Sequence, residues 1–126
     1  MNHVIDSSAI LAILFEERGA EKAAALSLGG TLSSVIFAET ISKCAVKGFP
    51  IEAVTAFIAQ YLIEIEPLSE FTAKNAGELK LNKHFWPLSL ADCICIALAI
   101  EKSATLVTAD RAWLELDLPC PVEVIR

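Results

Sequence analysis

The sequence predicts an α/β fold in which a central parallel sheet is flanked by helices in three layers. Short apolar segments with strand character alternate with helix-like segments along the whole chain, and this alternation is typical of parallel pairing. The length of 126 residues suits one domain with a sizeable core, which we expect to extend over residues 1–126. No repeat, linker or low-complexity segment interrupts the alternation.

The first half of the chain contains two predicted strands, over residues 4–5 and 31–36. Helices are predicted over residues 7–17, 19–28 and 38–47, and glycines follow the second and third of them. Pro50 opens another helix, in which apolar residues recur at helical spacing.

The second half begins with a predicted strand over residues 62–67, where Ile and Glu alternate. A polar helix is expected over residues 69–84, and the most apolar helix of the chain over residues 89–103. Two further strands, over residues 105–108 and 122–125, enclose a short helical turn that ends near residue 116.

The composition is unusually apolar for a globular chain. Hydrophobic residues make up 55% of the sequence and the mean hydropathy is +0.55. The longest uninterrupted apolar run, residues 93–100, is much shorter than the ~20 residues of a spanning helix. Because Asp6 also interrupts the first apolar run, we expect no secretory signal, a cytoplasmic location and an apolar face that another protein covers.

The charge and the cysteines exclude two other classes of protein. The net charge is −6 and the ten basic residues are scattered, so passive binding of nucleic acid is not indicated. A nuclease whose acids bind a divalent metal remains compatible with this charge. No two of the four cysteines form a C-x-x-C pair, which argues against a zinc site or a disulfide scaffold.

Four acids lie just after a predicted strand or near the start of a predicted helix: Asp6, Glu39, Asp92 and Asp110. Each has a local explanation. Asp6 and Asp110 could cap the helical segments that follow them, and Glu39 could be an acid in the first turn of a helix, which the helix dipole favours. Asp92 completes a spacing with Ser89 that is typical of a capping box.

Together, these four acids are predicted to meet at the carboxyl edge of a parallel sheet, where such sheets place their sites. Four carboxylates in one place repel each other, and some would have to stay protonated. A hard divalent cation removes this conflict, and Mg²⁺ and Mn²⁺ prefer oxygen ligands.

The acids belong to short sequence motifs that recur in order along the chain. These are Val-Ile-Asp-Ser-Ser-Ala at residues 4–9, Ala-Glu at 38–39, Leu-Ser-Leu-Ala-Asp at 88–92 and Leu-Val-Thr-Ala-Asp-Arg at 106–111. With this ordered set the chain resembles PIN-domain ribonucleases, most closely the VapC-like toxins of bacterial and archaeal toxin–antitoxin pairs. The resemblance extends over essentially the whole chain in length and element order.

The resemblance implies a five-stranded parallel sheet and an acidic pocket that binds Mg²⁺ or Mn²⁺. Asp6 would be the central metal ligand, and Glu39 and Asp92 would complete the shell. Asp110 would bind the metal directly or through water. The activity implied is metal-dependent endonucleolytic cleavage of RNA, in which the metal lowers the pKa of a bound water and polarises the scissile phosphate.

Residues near the acids have supporting roles in this interpretation. By the same resemblance, Ser7 and Thr108 would hold the acidic shell by hydrogen bonding. Arg111 and Lys43 could contact phosphate, Arg111 being the better candidate beside Asp110, although a solvated or salt-bridging role is the first explanation of each. Some relatives carry one more acid after the last aspartate; position 113 is Trp here, which puts a second metal site in doubt.

The resemblance also implies partners. A toxin of this kind forms homodimers, and a co-encoded antitoxin covers a groove with an apolar segment while a basic side chain approaches the acids. The helices over residues 7–15 and 53–61 are candidate surfaces for such contacts, or they are ordinary core helices.

Two other functions remain open at this point. A phosphatase could use Asp6 as a covalent nucleophile, but a site of the haloacid-dehalogenase type needs a second Asp two residues later, where this chain has Ser8. Alternatively, the chain is a non-catalytic RNA- or protein-interaction module in which the acids are remnants.

Overall fold

The computed structural model describes residues 2–126, so Met1, which the predicted domain includes, lies outside the described residues. Its centre is a five-stranded sheet in which every pair of neighbouring strands is parallel, as predicted. The order across the sheet is β3-β2-β1-β4-β5. The strands are β1 (His3–Ile5), β2 (Thr31–Ser33), β3 (Glu64–Glu66), β4 (Thr105–Thr108) and β5 (Val122–Val124).

Helices cover the sheet on both faces. Successive strand residues point to opposite faces, and the neighbours Val4 and Ile5 in β1, like Leu106 and Val107 in β4, are all fully buried. Three 3₁₀ segments complete the structure, at Leu79–Leu81, Lys83–Phe85 and Arg111–Leu116. The α-helices are α1 (Ser7–Leu14), α2 (Ala20–Ser27), α3 (Ser34–Val46), α4 (Ile51–Gln60), α5 (Glu70–Glu78) and α6 (Leu90–Glu101).

The strand predicted over residues 31–36 is wrong in its second half, because α3 already begins at Ser34. The Ser33 side chain accepts a hydrogen bond from the backbone N–H of Val35, so it caps the helix there. The β-branched Val35 and Ile36 indicate a strand by propensity, but they lie in the first helical turn. Glu39 is therefore not in the first turn of α3, and the helix-dipole explanation of this acid is wrong.

Two predicted helices are too long. The helix predicted over residues 7–17 ends at Leu14, and Glu16 has a left-handed backbone conformation with φ +54°. The helix predicted over residues 69–84 ends at Glu78 and continues as two 3₁₀ segments. Asn82 separates those segments because its backbone is extended and its side chain accepts a hydrogen bond from His84 N.

The strand order determines where the sheet has its topological switch point. From β1 the chain moves outward to β2 and β3, and it then returns to the other side of β1 to form β4 and β5. The crevice between β1 and β4 is therefore the topological switch point, where open α/β sheets bind ligands. The hydrogen bond from Asp6 N to Val107 O, 2.8 Å long, continues the pairing of β1 and β4 into this crevice.

The edges of the sheet are short and charged. The edge strands β3 and β5 have three residues each. Glu66 in β3 pairs with Lys102 at 2.8 Å, and Glu123 in β5 pairs with Lys22 at 3.4 Å.

Much of the apolar content lies in the core, but large apolar side chains such as Val46, Leu62 and Leu81 remain exposed. All four cysteines are free thiols, and three of them are buried. No helix within residues 2–126 is long and apolar enough to cross a membrane.

The core predicts a clear contrast between two truncations. Ile96 in α6 is fully buried, so Ile96→Ala should lower the free energy of unfolding by about 2–5 kcal/mol. Val46 at the end of α3 is 86% exposed, so Val46→Ala should change it by less than about 0.5 kcal/mol. Urea unfolding of both variants checks this, and equal losses would contradict the packing described.

Candidate functional site

Asp6 lies at the centre of the candidate site, directly after β1 in the crevice between β1 and β4. Only 5% of the residue is exposed. Asp6 occupies the position before the first residue of α1, but its side chain makes no capping hydrogen bond. The local explanation of Asp6 as a helix cap is therefore wrong for its carboxylate.

Two hydroxyl groups hold the Asp6 carboxylate instead. Ser8 Oγ donates to Asp6 Oδ2 at 2.6 Å, and Thr108 Oγ1 donates to the same oxygen at 2.9 Å. Each hydroxyl also accepts a backbone hydrogen bond from the segment after β4, Ser8 from Ala109 N at 2.9 Å and Thr108 from Asp110 N at 3.1 Å. The two hydroxyls thus connect Asp6 to the chain on both sides of the crevice.

The electrostatic surroundings of Asp6 are unfavourable to its charge. Burial raises the pKa of the Asp6 carboxyl above its ordinary value, and the nearby charges of Asp92 and Glu39 raise it further. The hydrogen bonds from Ser8 and Thr108 oppose this effect without cancelling it. The fold therefore brings Asp92 and Glu39 close enough for their charges to act on Asp6.

Glu39 approaches the site from the second turn of α3. Ser7 Oγ donates to Glu39 Oε1 at 2.5 Å, and this bond joins the start of α1 to α3. Lys43, one turn further along α3, lies 3.9 Å from the same oxygen. Ser7 therefore contacts Glu39 and not Asp6, and Lys43 forms a loose ion pair at the rim of the site.

Asp92 and Asp110 each use one oxygen in a local cap. Asp92 Oδ2 accepts from Ser89 N while Ser89 Oγ accepts from Asp92 N, both at 3.0 Å, so the predicted capping box exists. Asp110 Oδ1 accepts from Ala112 N at 3.0 Å and caps the 3₁₀ segment that follows. Asp110 is exposed, and Thr108 connects it to Asp6.

The other predicted residues lie around this centre or away from it. Arg111 is exposed and its Nη1 donates to the backbone oxygen of Arg126 at 3.2 Å, so part of its guanidinium is already bound. Trp113 is buried in the core with 2% exposed, so it takes no part in the site.

Sequence reasoning missed Ser8, which the structure places directly on Asp6. The available signal was its position two residues after Asp6 at the start of a helix, where a hydroxyl can reach back to an aspartate. Choosing between Ser7 and Ser8 required the direction of each side chain in α1, which depends on where α3 and β4 lie.

The donor set has the chemistry of a hard divalent cation site but is not assembled as one. The four acids supply only oxygen, which suits Mg²⁺ and Mn²⁺. Burial is the main cause of the raised pKa of Asp6 and the neighbouring carboxylates add to it, so a bound cation would offset both effects. Within residues 2–126, however, no three His, Cys, Asp or Glu side chains already converge closely enough to hold an ion. Metal binding would therefore require side-chain adjustment, for which the two capped aspartates each retain an oxygen outside the cap.

Comparison with known proteins identifies the fold. The sequence model of the PIN domain matches residues 3–118, and no curated protein sequence matches the chain. A chain of a toxin–antitoxin complex from Klebsiella pneumoniae is similar with a TM-score of 0.77 and 18% identity, over 100% of this chain and 98% of that one. A chain of VapBC2 from Rickettsia felis, bound to a DNA fragment from its promoter, gives 0.71 and 21%, over 98% of both chains.

The toxin VapC20 from Mycobacterium tuberculosis, which cleaves the sarcin–ricin loop, is also similar. Its TM-score is 0.73 at 15% identity, over 94% of this chain and 96% of VapC20. At such low identities these likenesses show a shared fold, and they do not transfer residue roles. The five-stranded parallel sheet agrees with this fold.

The buried carboxylate predicts a dependence of stability on pH. When the pKa of a carboxyl group is raised in the folded state, the free energy of unfolding of the protein falls as the pH rises from the pKa of the unfolded state to that of the folded state. Asp6→Asn should therefore increase the free energy of unfolding of metal-free protein at neutral pH. The increase should disappear at about pH 3, below the ordinary aspartate pKa of about 3.9, because the carboxyl is then protonated in both states.

Urea unfolding in EDTA at the two pH values measures this effect. Glu52→Gln, which changes an exposed carboxylate on α4, is the matched control and should show no such gain. A loss of stability in Asp6→Asn at neutral pH would contradict the electrostatic description of the site.

Proposed function

Because the chain belongs to the PIN-domain family, we propose that it is a metal-dependent endoribonuclease, the toxin of a type II toxin–antitoxin pair that acts in the cytoplasm. The observation that carries the proposal is the buried Asp6 at the switch point, whose pKa is raised by burial and further by the charges of Asp92 and Glu39. The nuclease activity of VapC20, which shares the fold, supports it. In this proposal residues 1–126 act as one PIN domain.

The metal ligands that we propose are Asp6, Glu39, Asp92 and Asp110, with Mg²⁺ or Mn²⁺ as the ion. A bound divalent cation in such a site supplies a water of lowered pKa and polarises the scissile phosphate. Ser8 and Thr108 fix the orientation of Asp6 through Oδ2, and Oδ1 is the oxygen that we assign to the ion. The oxygen of Asp110 that does not cap Ala112 is suited to orient the attacking water.

Positive side chains at the rim would position the phosphates of the substrate. We assign this role to Arg111, which follows Asp110 directly, and to Lys43, which lies beside Glu39. Arg111 has guanidinium nitrogens beyond the one bonded to Arg126, and Lys43 is half exposed, so both can turn towards an anion.

A groove between α1 and α3 supports the proposal of an antitoxin partner. Its volume is about 340 Å³, and Leu11, Phe15 and Val46 form its apolar lining. Ser8 and Lys43 also line it, so the groove leads to the acidic site. An apolar antitoxin segment would occupy this groove and direct a basic side chain towards the acids. We also propose that the toxin forms a homodimer. The Klebsiella pneumoniae neighbour is itself part of a toxin–antitoxin complex.

One observation favours a second candidate, a non-catalytic RNA- or protein-interaction module. Glu39 and Asp92 are engaged by Ser7 and Ser89, and within residues 2–126 the acids form no ready metal cluster. If the acids do not converge further in the presence of Mg²⁺ or Mn²⁺, the site binds no metal and the fold serves only for binding.

The nuclease is tested by cleavage of a pool of structured RNAs. Purified protein should cut in Mg²⁺ or Mn²⁺ and not in EDTA. Asp6→Asn should lower the rate by about a hundredfold or more, the order of loss when one group that stabilises a transition state is removed. Glu52→Gln, prepared in the same way, should keep the rate of the original protein.

Three results would go against this assignment. Cutting that persists in EDTA or in Asp6→Asn points to a contaminating nuclease and leaves the site unsupported. No cutting by folded, partner-free protein at any concentration favours the interaction module.

The partner is tested by titrating the protein encoded beside this one. Val46→Asp introduces a charge into the apolar groove and should weaken the complex by about tenfold or more, as expected when a buried Val contact is lost. Leu28→Asp, at an exposed apolar residue after α2, should leave the affinity unchanged. Calorimetry measures both, and equal effects would show that the partner binds elsewhere.

A further inference from the structure

We propose that the loop over residues 80–88 is a subsite for single-stranded RNA, in which an unpaired base stacks on Trp86. This inference rests on the proposed function for its substrate class. It adds a contact that none of the acidic residues provides.

Trp86 is presented to solvent in a fixed orientation. The residue is 60% exposed, although a tryptophan side chain has a large apolar surface that is normally covered. Its Nε1 donates to the backbone oxygen of Lys80 at 2.8 Å, which satisfies its one polar group and restrains the ring. Lys83 Nζ lies 5.7 Å from the ring centroid, so a cation is placed beside the aromatic face.

Lys80 locks the loop that carries this ring. Its ammonium group donates to the backbone oxygens of Phe85 and Trp86, each at 2.9 Å, and also to that of Leu88. All three donors of Lys80 are therefore used within one loop. Phe85 is buried and anchors the same segment in the protein. An aromatic surface that is already rigid loses little entropy when a ligand stacks on it.

The loop leads directly into the acidic site. Trp86 is three residues before Ser89, whose backbone N–H binds Asp92 Oδ2. Three residues span at most about 10 Å, so the ring lies within reach of a strand of a few nucleotides that passes the acids. A base stacked on Trp86 would therefore place the backbone of the same strand near the proposed reaction centre.

The local charge of this surface is favourable to a phosphate backbone. Residues 79–91 contain no Asp or Glu, although the chain has a net charge of −6, and they contain Lys80, Lys83 and His84. The other well-exposed aromatic residue, Phe71, lines a groove with Glu78 and Glu101, where a phosphate backbone would be repelled. Unpaired bases stack on aromatic side chains next to basic groups, which is the combination at Trp86.

The intrinsic fluorescence of the protein tests the subsite directly. The chain has two tryptophans, and Trp113 is buried, so emission that responds to added RNA should come from Trp86. The titration uses Asp6→Asn protein in Mg²⁺ with a short unpaired RNA and a duplex of the same sequence, and a gel checks that the RNA stays intact. We expect quenching by the single strand at concentrations where the duplex gives little.

Substitutions then separate stacking from general apolar contact. On the Asp6→Asn background, Trp86→Leu should weaken binding of the single strand by about five- to a hundredfold, the range for loss of one base–aromatic stack. Trp86→Phe should restore much of the affinity, measured by anisotropy of labelled RNA. Phe71→Leu is the matched control, since Phe71 is 64% exposed and lies towards the far end of α6, and it should have no effect.

The outcomes are distinct from those that test the nuclease. Absence of quenching, or equal RNA affinity in Trp86→Leu and Phe71→Leu, would overturn the subsite even if the protein cuts RNA. A change in oligomeric mass with unchanged RNA affinity in Trp86→Leu would also overturn it and make the loop a protein contact. Binding that depends on Trp86 in a protein that never cuts RNA would keep the subsite and remove the nuclease.

Discussion

The geometry of the whole site depends on one oxygen, Oδ2 of Asp6, and the two hydroxyl groups that bind it. Burying a carboxylate between two strands is costly, because water no longer solvates its charge. Ser8 and Thr108 reduce this cost by donating to Oδ2, and both accept from backbone groups that follow β4. The same hydroxyls thus stabilise the charge and fix the distance between the two loops of the switch point. Removing either one would leave the carboxylate with a single hydroxyl donor and would take the hydrogen-bond acceptor from one backbone N–H.

A cap and a ligand are compatible roles for one carboxylate. Asp92 and Asp110 each bind a backbone N–H through one oxygen, which restricts the side chain to a single orientation. The second oxygen then points in a direction that the helix start determines. Local capping and a role in the site were alternatives at the level of sequence, but the structure satisfies the first without excluding the second.

The positions of the acids along the order of elements could be predicted from the sequence, as could the contacts of Thr108 and Ser89, whereas the contacts of Ser7 and Ser8 could not. β4 was predicted with its observed bounds, and Asp110 follows from it directly. The start of α3 was predicted four residues too late, since the β-branched Val35 and Ile36 suggest a strand and only the cap at Ser33 shows otherwise. The exchange of roles between Ser7 and Ser8 depends on contacts with α3 and β4, which lie far away in sequence. After α5, the Asn82 cap and three hydrogen bonds from Lys80 to backbone carbonyls shape the 3₁₀ segments and the loop that follows. Helical periodicity in the sequence indicates neither the cap nor these hydrogen bonds.

The short, charged edge strands limit how copies of this chain can associate. An exposed strand edge normally offers free backbone groups to a neighbouring molecule, and charge or proline at the edge discourages such pairing. Here β3 carries Glu64 and Glu66 and is followed by Pro67, while β5 carries Glu123 and is preceded by Pro121. Growth of a continuous intermolecular sheet is therefore disfavoured at both ends, even though the chain is rich in apolar residues. A symmetric pair of subunits would have to be built from helix surfaces, with each sheet ending inside its own subunit.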